Sequence, residues 1–256
     1  KPGGVLVQWL QTYDTSDEVT HDVLCTLHAV FPHLRVFQLT KGDLAIIATV
    51  DPLRVDFDAA AAEFARPEVR GGLTAHARDD VPTSMLGFLA LELGGPAVVD
   101  KLCREFERPL RLEHPDLEYR APRASFAKRT AADLLGALDS RARPHNAGDL
   151  LMVERLRSRG LSEAERAELG RLFGSRGSSA ERTLAIALGT APFPELAGLD
   201  ARLASLESTG AIPDARTCPG VRSDPAFSVA ATVTIYGRTP STPRVDAWKQ
   251  RCAAIP

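Results

Sequence analysis

The sequence predicts a mixed α/β chain that opens with a strand–helix–hairpin unit and continues as a long helical region. Three observations predict it. Val5 to Leu10 is a short apolar, β-branched run, the pattern of a strand buried on both faces of a parallel sheet. Apolar residues at helical spacing follow it at once. The rest of the chain is rich in Ala, Leu and Arg, good helix formers, in runs stopped by Gly and Pro. With 256 residues, 44% of them hydrophobic, the chain can bury a core without metals or disulfides. Its formal net charge of -2 argues against a nucleic-acid-binding surface spread over the whole protein, though not against a local patch. No apolar run approaches the roughly 20 residues of a membrane helix.

The chain begins Lys1-Pro2-Gly3-Gly4, turn chemistry leading directly into the first apolar strand. There is no Met and no signal-peptide pattern, so the expectation is the C-terminal part of a longer protein. Thr15 and Glu18 form a capping-box pattern. Val19, Val23, Leu24, Leu27 and Val30 make one helical face, which stops at Phe31-Pro32. Leu34 to Leu39 reads as a strand, Thr40-Lys41-Gly42-Asp43 as a turn, and Leu44 to Val50 as a strand paired antiparallel with the one before. Residues 1–50 are therefore expected to close an α/β sheet whose other strands lie upstream, because so apolar an edge left bare would aggregate.

Residues 51–140 read as a helical extension packed on that sheet. Its helices run from Phe57 to Phe64, from Ser84 to Leu93, and from Pro96 to Phe106. Leu110 to Leu117 reads as irregular and Arg120-Ala121-Pro122-Arg123 as extended. A polar boundary falls at Arg141 to Gly148. Residues 149–210 then read as a helical appendage of degenerate hairpins. These run Leu150 to Arg159, a second capping box at Ser162 and Glu165 opening a helix that ends at Gly174, Glu181 to Leu188, and Leu196 to Leu206. Residues 211–256 read as an irregular tail with one strand-like run, Val229 to Tyr236.

Several constellations carry side chains suited to chemistry. His21, Cys25 and His28 share a helix face and carry metal-ligand atoms; no fourth ligand is visible, so a solvated face is the plainer reading. Asp79-Asp80 and the group Glu113, Asp116, Glu118 suit a cationic amine, but such loops are also ordinary surface. A pairing of Glu118 with Arg120 or Arg123 is the expected role there. Ser84, Ser125 and Ser178-Ser179 show no GxSxG elbow. Arg155, Arg157 and Arg159 read as a solvated face beside Glu154, Glu163 and Glu165, with contact to anionic lipid as the alternative. Trp9 and Phe37 are expected in the core. Cys25, Cys103, Cys218 and Cys252 form no CxxC pair. Cys218 and Cys252 can pair in an oxidising compartment, but their spacing favours free thiols.

The segment Lys1-Pro2-Gly3-Gly4-Val5-Leu6-Val7-Gln8-Trp9-Leu10-Gln11-Thr12-Tyr13 resembles the spermidine synthase-like family, in its long bacterial forms. So do Val30-Phe31-Pro32-His33-Leu34-Arg35-Val36-Phe37, Gly42-Asp43-Leu44-Ala45-Ile46-Ile47-Ala48, and His114-Pro115-Asp116-Leu117-Glu118-Tyr119-Arg120-Ala121-Pro122-Arg123. The resemblance covers roughly the first half of the chain. It implies the C-terminal portion of a Rossmann-like class I methyltransferase fold. The parent is then expected to be a transferase moving an aminopropyl group from decarboxylated S-adenosylmethionine to putrescine or a similar amine. It would sit in the cytoplasm, or on the cytoplasmic face where a parent is membrane-attached, and a homodimer fits the family. The catalytic and nucleotide-binding residues would lie upstream, so no catalytic, cofactor-binding or metal residue is assigned in this chain, and it is expected to be inactive alone. Gln8 is the one carry-over, matching a family glutamine that contacts the polyamine; the plainer reading is a hydrogen bond to neighbouring backbone.

Two departures bear on this. The Tyr-rich loop of synthases proper is replaced by Thr40-Lys41-Gly42-Asp43, and Leu110-Arg111-Leu112-Glu113 stands where related long forms show an Asn-Thr-Asp-Asp run. Both favour the alternatives: a non-catalytic scaffold binding a protein partner through residues 149–210, or a methyltransferase with another acceptor.

Overall fold

A computed structural model describes residues 3–75, 81–107, 109–111, 113, 116–141, 147–176, 179–188, 193–236 and 242–254. It is a mixed α/β structure around a four-stranded antiparallel sheet in the order β1-β3-β2-β4. The strands are β1 (Val5–Gln11), β2 (His33–Gln38), β3 (Asp43–Thr49) and β4 (Glu92–Gly94). Helix α1 (Asp17–Val30) connects β1 to β2. Both strands are antiparallel to β3, which lies between them, so β1 and β2 point the same way. The expected strand–helix–hairpin is present, but neighbouring strands pair antiparallel throughout.

Alternation along β2 and β3 sends side chains to two cores. Leu34, Val36, Leu44, Ile46 and Ala48 join α1, α5 (Pro96–Cys103) and α7 (Ala132–Leu138). Phe37 and Ala45 face the other way, toward α4 (Met85–Leu89), α8 (Leu151–Ser158), α9 (Glu163–Arg176) and α10 (Ser179–Ala187). The sheet is thus sandwiched between helices, and the polar stretch at 141–148 separates no cores. Residues 149–188 are a covering layer of the sheet. Among the described residues, only the last helices form a core of their own: α11 (Glu195–Ser208), α12 (Cys218–Arg222), α13 (Pro225–Ile235) and α14 (Pro243–Ala253).

Local signals explain most boundaries. The N-cap of α1 is Ser16, not Thr15; its hydroxyl accepts from Val19 N–H at 3.3 Å. The capping box at α9 forms as expected, with Ser162 N–H donating to Glu165 and Glu165 N–H to Ser162. Helix α2 (Phe57–Ala65) stops before the Pro67 that opens α3 (Pro67–Ala75). The expected helix from Ser84 to Leu93 is cut short. Ser84 caps the brief α4, and Glu92–Gly94 then joins the sheet edge beside β2. The stretch expected to be extended at Arg120–Arg123 lies inside α6 (Asp116–Phe126), with Pro122 in the helix interior. Packing of α6 on α1 overrides the local bias of the residue before proline. The tail is helical rather than irregular, and Val229 to Tyr236 belongs largely to α13, not to a strand. An apolar run of that length fits a strand or a buried helix, and periodicity alone does not separate them.

Two disulfides join Cys25 to Cys103 and Cys218 to Cys252, leaving no free thiol. The first staples α1 to α5, and the second ties α12 to α14. Spacing along the chain carries no information on such three-dimensional neighbours, which is why free thiols looked the simpler reading. No described helix is long and apolar enough to cross a membrane.

Candidate functional site

Two regions concentrate polar or unsatisfied chemistry: a buried ionic seam where β2 and β4 meet α8, and the uncovered strand β1.

The seam is built by Arg35 on β2 and Glu92 on β4. Arg35 Nη1 lies 2.6 Å from Glu92 Oε1 and also donates to the Asp149 carbonyl at 3.0 Å. Glu92 Oε2 accepts the Leu151 N–H at the start of α8, at 2.6 Å. The Asp149 carboxylate accepts Ala97 N–H in the first turn of α5 and fills the space where a Cβ on Gly95 would sit. Both charged groups are buried. Burial pushes the Glu92 carboxyl up to about 7, against the downward pull of the Arg35 guanidinium and the Leu151 N–H. Arg35 Nε is buried with no hydrogen-bond partner among the described residues. One residue pair therefore holds the sheet edge, the helix after the 141–148 stretch and the start of α5 in a single arrangement. Nearby, Arg141 is buried against Asp139, and its carbonyl accepts the Tyr236 hydroxyl at 2.9 Å.

Strand β1 is the opposite case. Val5, Val7 and Trp9 are 54%, 63% and 53% exposed. They pair with Thr49, Ile47 and Ala45, so they continue the face that carries the α4–α8–α9 core, but no described helix reaches over them. The outer edge of β1 pairs with no described strand. The expectation of a fully covered strand is overturned here, and Trp9 with it: its indole N–H donates to Asp43 at 3.1 Å on the surface. Phe37 is fully buried, as expected. Gln8 lies in mid-strand rather than at the strand's end, and its amide donates to the neighbouring Trp9 carbonyl at 2.6 Å.

The helix face of His21, Cys25 and His28 is not solvated as expected. Cys25 is buried and spent in the disulfide. His21 Nε2 lies 3.5 Å from Cys25 Sγ and 3.3 Å from the Leu102 carbonyl. His28 faces Asp100 at 3.8 Å. The face docks on α5, which removes the ligand atom a metal site would need. Among the described residues no group of three or more His, Cys, Asp or Glu is placed to hold a metal ion. His21 instead lines an open cavity of about 970 Å³ with Leu102, Glu105, Phe106, Arg111 and Arg120. Arg120 is paired there with Asp22, not with Glu118.

The remaining candidates disperse. Glu113 and Glu118 are exposed. Asp79-Asp80, His114-Pro115 and Ser178 lie outside the described residues, as does the Asp116 side chain. Arg155 is buried rather than solvated, 2.7 Å from Glu165, and Arg159 pairs with Asp58 on α2. Ser84 is a helix cap. Sequence reasoning missed the Arg35–Glu92 seam, although an arginine inside an otherwise apolar strand run was a legible signal.

Comparisons with protein-family models, curated proteins and solved structures find no match.

Proposed function

We propose that this chain completes the sheet of a spermidine synthase-like protein with a Rossmann-like methyltransferase fold, and that the nucleotide and amine sites belong to the missing part of that sheet. One observation carries the reading. β1 is apolar on both faces, its outer edge is unpaired, and its row Val5, Val7, Trp9 is open to solvent, while the same face one strand further in is covered. A crossover from β1 through α1 to a strand of the same direction is also the connection from which α/β sheets are assembled. A strand and covering helices placed against β1 would bury that row.

On this reading the parent transfers an aminopropyl group from decarboxylated S-adenosylmethionine to a diamine. The sulfonium's neighbouring carbon is attacked by the free amine, and methylthioadenosine leaves. A carboxylate must take the amine's proton, because an ammonium has no lone pair to attack with. No residue of this chain is assigned that part. Gln8 would reach an amine only after its amide leaves the Trp9 carbonyl.

A second reading has its own support. Two disulfides consume every cysteine, and disulfides persist in oxidising compartments rather than in a reducing cytosol. That favours a non-catalytic scaffold working outside the cytoplasm, with the helical half as its binding surface.

The experiment is an assay of the full-length parent with putrescine and decarboxylated S-adenosylmethionine, paired with hydrogen exchange of the β1 amides. Methylthioadenosine release, with the outer-edge β1 amides that do not bond to β3 protected in the parent and unprotected in this chain, supports the first reading. S-adenosylhomocysteine release from ordinary S-adenosylmethionine reassigns the reaction to methyl transfer. Binding of neither nucleotide leaves the scaffold.

A further inference from the structure

The surface that stands apart from both regions above is the outer face of α6 and the turn that ends it. From Tyr119 to Thr130 the chain carries four cations, Arg120, Arg123, Lys128 and Arg129, and no acidic residue, while Asp116 and Glu118 stand at the other end of α6. Tyr119, Arg123 and Phe126 fall on one stripe of the helix, at spacings of four and three residues. Tyr119 is 67% exposed and Phe126 89%, the highest value of any large hydrophobic side chain described. A phenylalanine standing this far out of a folded surface, with Arg123, Lys128 and Arg129 within three residues of it in sequence, is not the scattered apolar exposure of ordinary surfaces.

The turn after α6 adds a second observation. Lys128 takes a left-handed backbone, φ 49. Arg129 N–H donates to the Ala124 carbonyl at 3.1 Å and Lys128 N–H to the Ser125 carbonyl at 2.9 Å. This is the helix ending that glycine normally serves, because a Cβ is disfavoured there. A cation stands where the backbone alone would favour glycine, next to Phe126. Arg120 is paired with Asp22 and stays partly exposed, while Arg123, Lys128 and Arg129 are exposed. Arg123 and Arg129 also rim a hollow of about 290 Å³ against the start of α1, with Glu18 on its wall.

We propose that this face of α6 docks on an anionic lipid bilayer. The cations match the surface charge of acidic headgroups, and each basic residue near such a surface adds to the attraction. Phe126 and Tyr119 supply an apolar and an interfacial ring at the level where acyl chains meet headgroups. A free phosphate would have no use for the aromatic stripe. Single-stranded nucleic acid would use rings lining a groove along the cationic track, whereas these rings stand on the convex side of a helix. The proposal does not depend on what completes β1.

The test is co-sedimentation of the chain with vesicles of phosphatidylcholine alone or with added phosphatidylserine, at low and high salt. Binding is expected only to the phosphatidylserine vesicles and is lost at high salt. Phe126→Ser should weaken it roughly tenfold through lost apolar burial. Lys128→Gly should weaken it about fivefold while leaving the melting temperature unchanged or higher, which separates docking from folding. Equal partition onto neutral vesicles would overturn the proposal, as would full binding by both variants. So would displacement by inorganic phosphate at matched ionic strength, or tighter binding to a single-stranded oligonucleotide than to the vesicles.

Discussion

Two strands of one small sheet, the edge strand β1 and the inner strand β2, end in opposite states from similar sequences. β1 (VLVQWLQ) carries no charge, and β2 (HLRVFQ) carries an arginine in its middle. By hydropathy alone β1 belongs inside and β2 belongs nearer the surface. Yet Leu34, Val36 and Phe37 on β2 are completely buried, while Val5, Val7 and Trp9 on β1 are more than half exposed. The difference lies in the covering layer. Helices α4 and α8 lie over Phe37 and Ala45, and α8 is held there by the charge that looked out of place. A strand's composition states what it needs to bury; its burial depends on what arrives to cover it.

Breaking that anchor should produce the largest effect. Arg35→Ala leaves the Glu92 carboxyl buried with Leu151 N–H as its remaining described partner. The expected cost is about 3–5 kcal/mol, because the buried carboxyl loses its cationic partner and either stays uncompensated or must take up a proton. Replacing both residues by leucine should recover most of the loss. Urea unfolding of the single and double variants measures the difference. A cost for Arg35→Ala within the range of an ordinary surface substitution would mean that the seam does not hold α8.

The disulfides come next. Cys25 and Cys103 are 78 residues apart in sequence, Cys218 and Cys252 are 34 apart. On chain entropy each bridge contributes about 4 kcal/mol, the longer loop slightly more. Cys103→Ala with Cys25→Ala should therefore lower the unfolding free energy at least as much as the matching pair of changes at Cys218 and Cys252. Thermal unfolding of the two double variants makes the comparison. The opposite ranking would show that the small C-terminal core depends on its bridge more than the sheet does.

The pH dependence sharpens the contrast at the seam. Glu92 titrates near 4.5 when unfolded and is pushed up to about 7 in the fold. The folded state therefore holds this proton more tightly than the unfolded chain does. Its contribution is fully present below about pH 4.5 and is lost as pH rises to about 7, a change on the order of 3 kcal/mol. Glu92→Gln should flatten that segment of the stability curve. An unchanged slope in the variant would assign the dependence to another group.

How much of this was legible from residues follows the same division. Local elements were readable: the strand–helix–hairpin, the Ser162–Glu165 box, and the proline and glycine stops. These depend on neighbours in sequence. What failed depends on neighbours in space. The box pattern points to Thr15, but the backbone places the Ser16 hydroxyl against Val19 N–H. Glu92 looked like a helix residue until β2 offered an edge. The Cys25 face looked solvated until α5 covered it and bridged it. Of the sequence candidates for function, Gln8 alone lies in β1, with its amide turned onto the strand's own backbone. Neither the seam nor the basic, aromatic face of α6 forms a motif with fixed spacing, so neither is marked in the sequence.

The smallest expected effect tests the exposed border directly. Val7 is paired with Ile47 across the β1–β3 ladder, but its side chain points into solvent. Val7→Lys should therefore change stability by about 0.5 kcal/mol, the usual range for a surface position. Ile46→Lys, one residue along β3 from that partner and fully buried, should prevent folding, because it puts an unpaired charge into the core. The lysine at Val7 should also reduce association at high concentration, since a charged residue is how natural edge strands avoid pairing with one another. Sedimentation velocity over a concentration series reads this. If Val7→Lys instead unfolds the chain, β1 is covered in solution, and the contrast between the edge strand β1 and the inner strand β2 disappears.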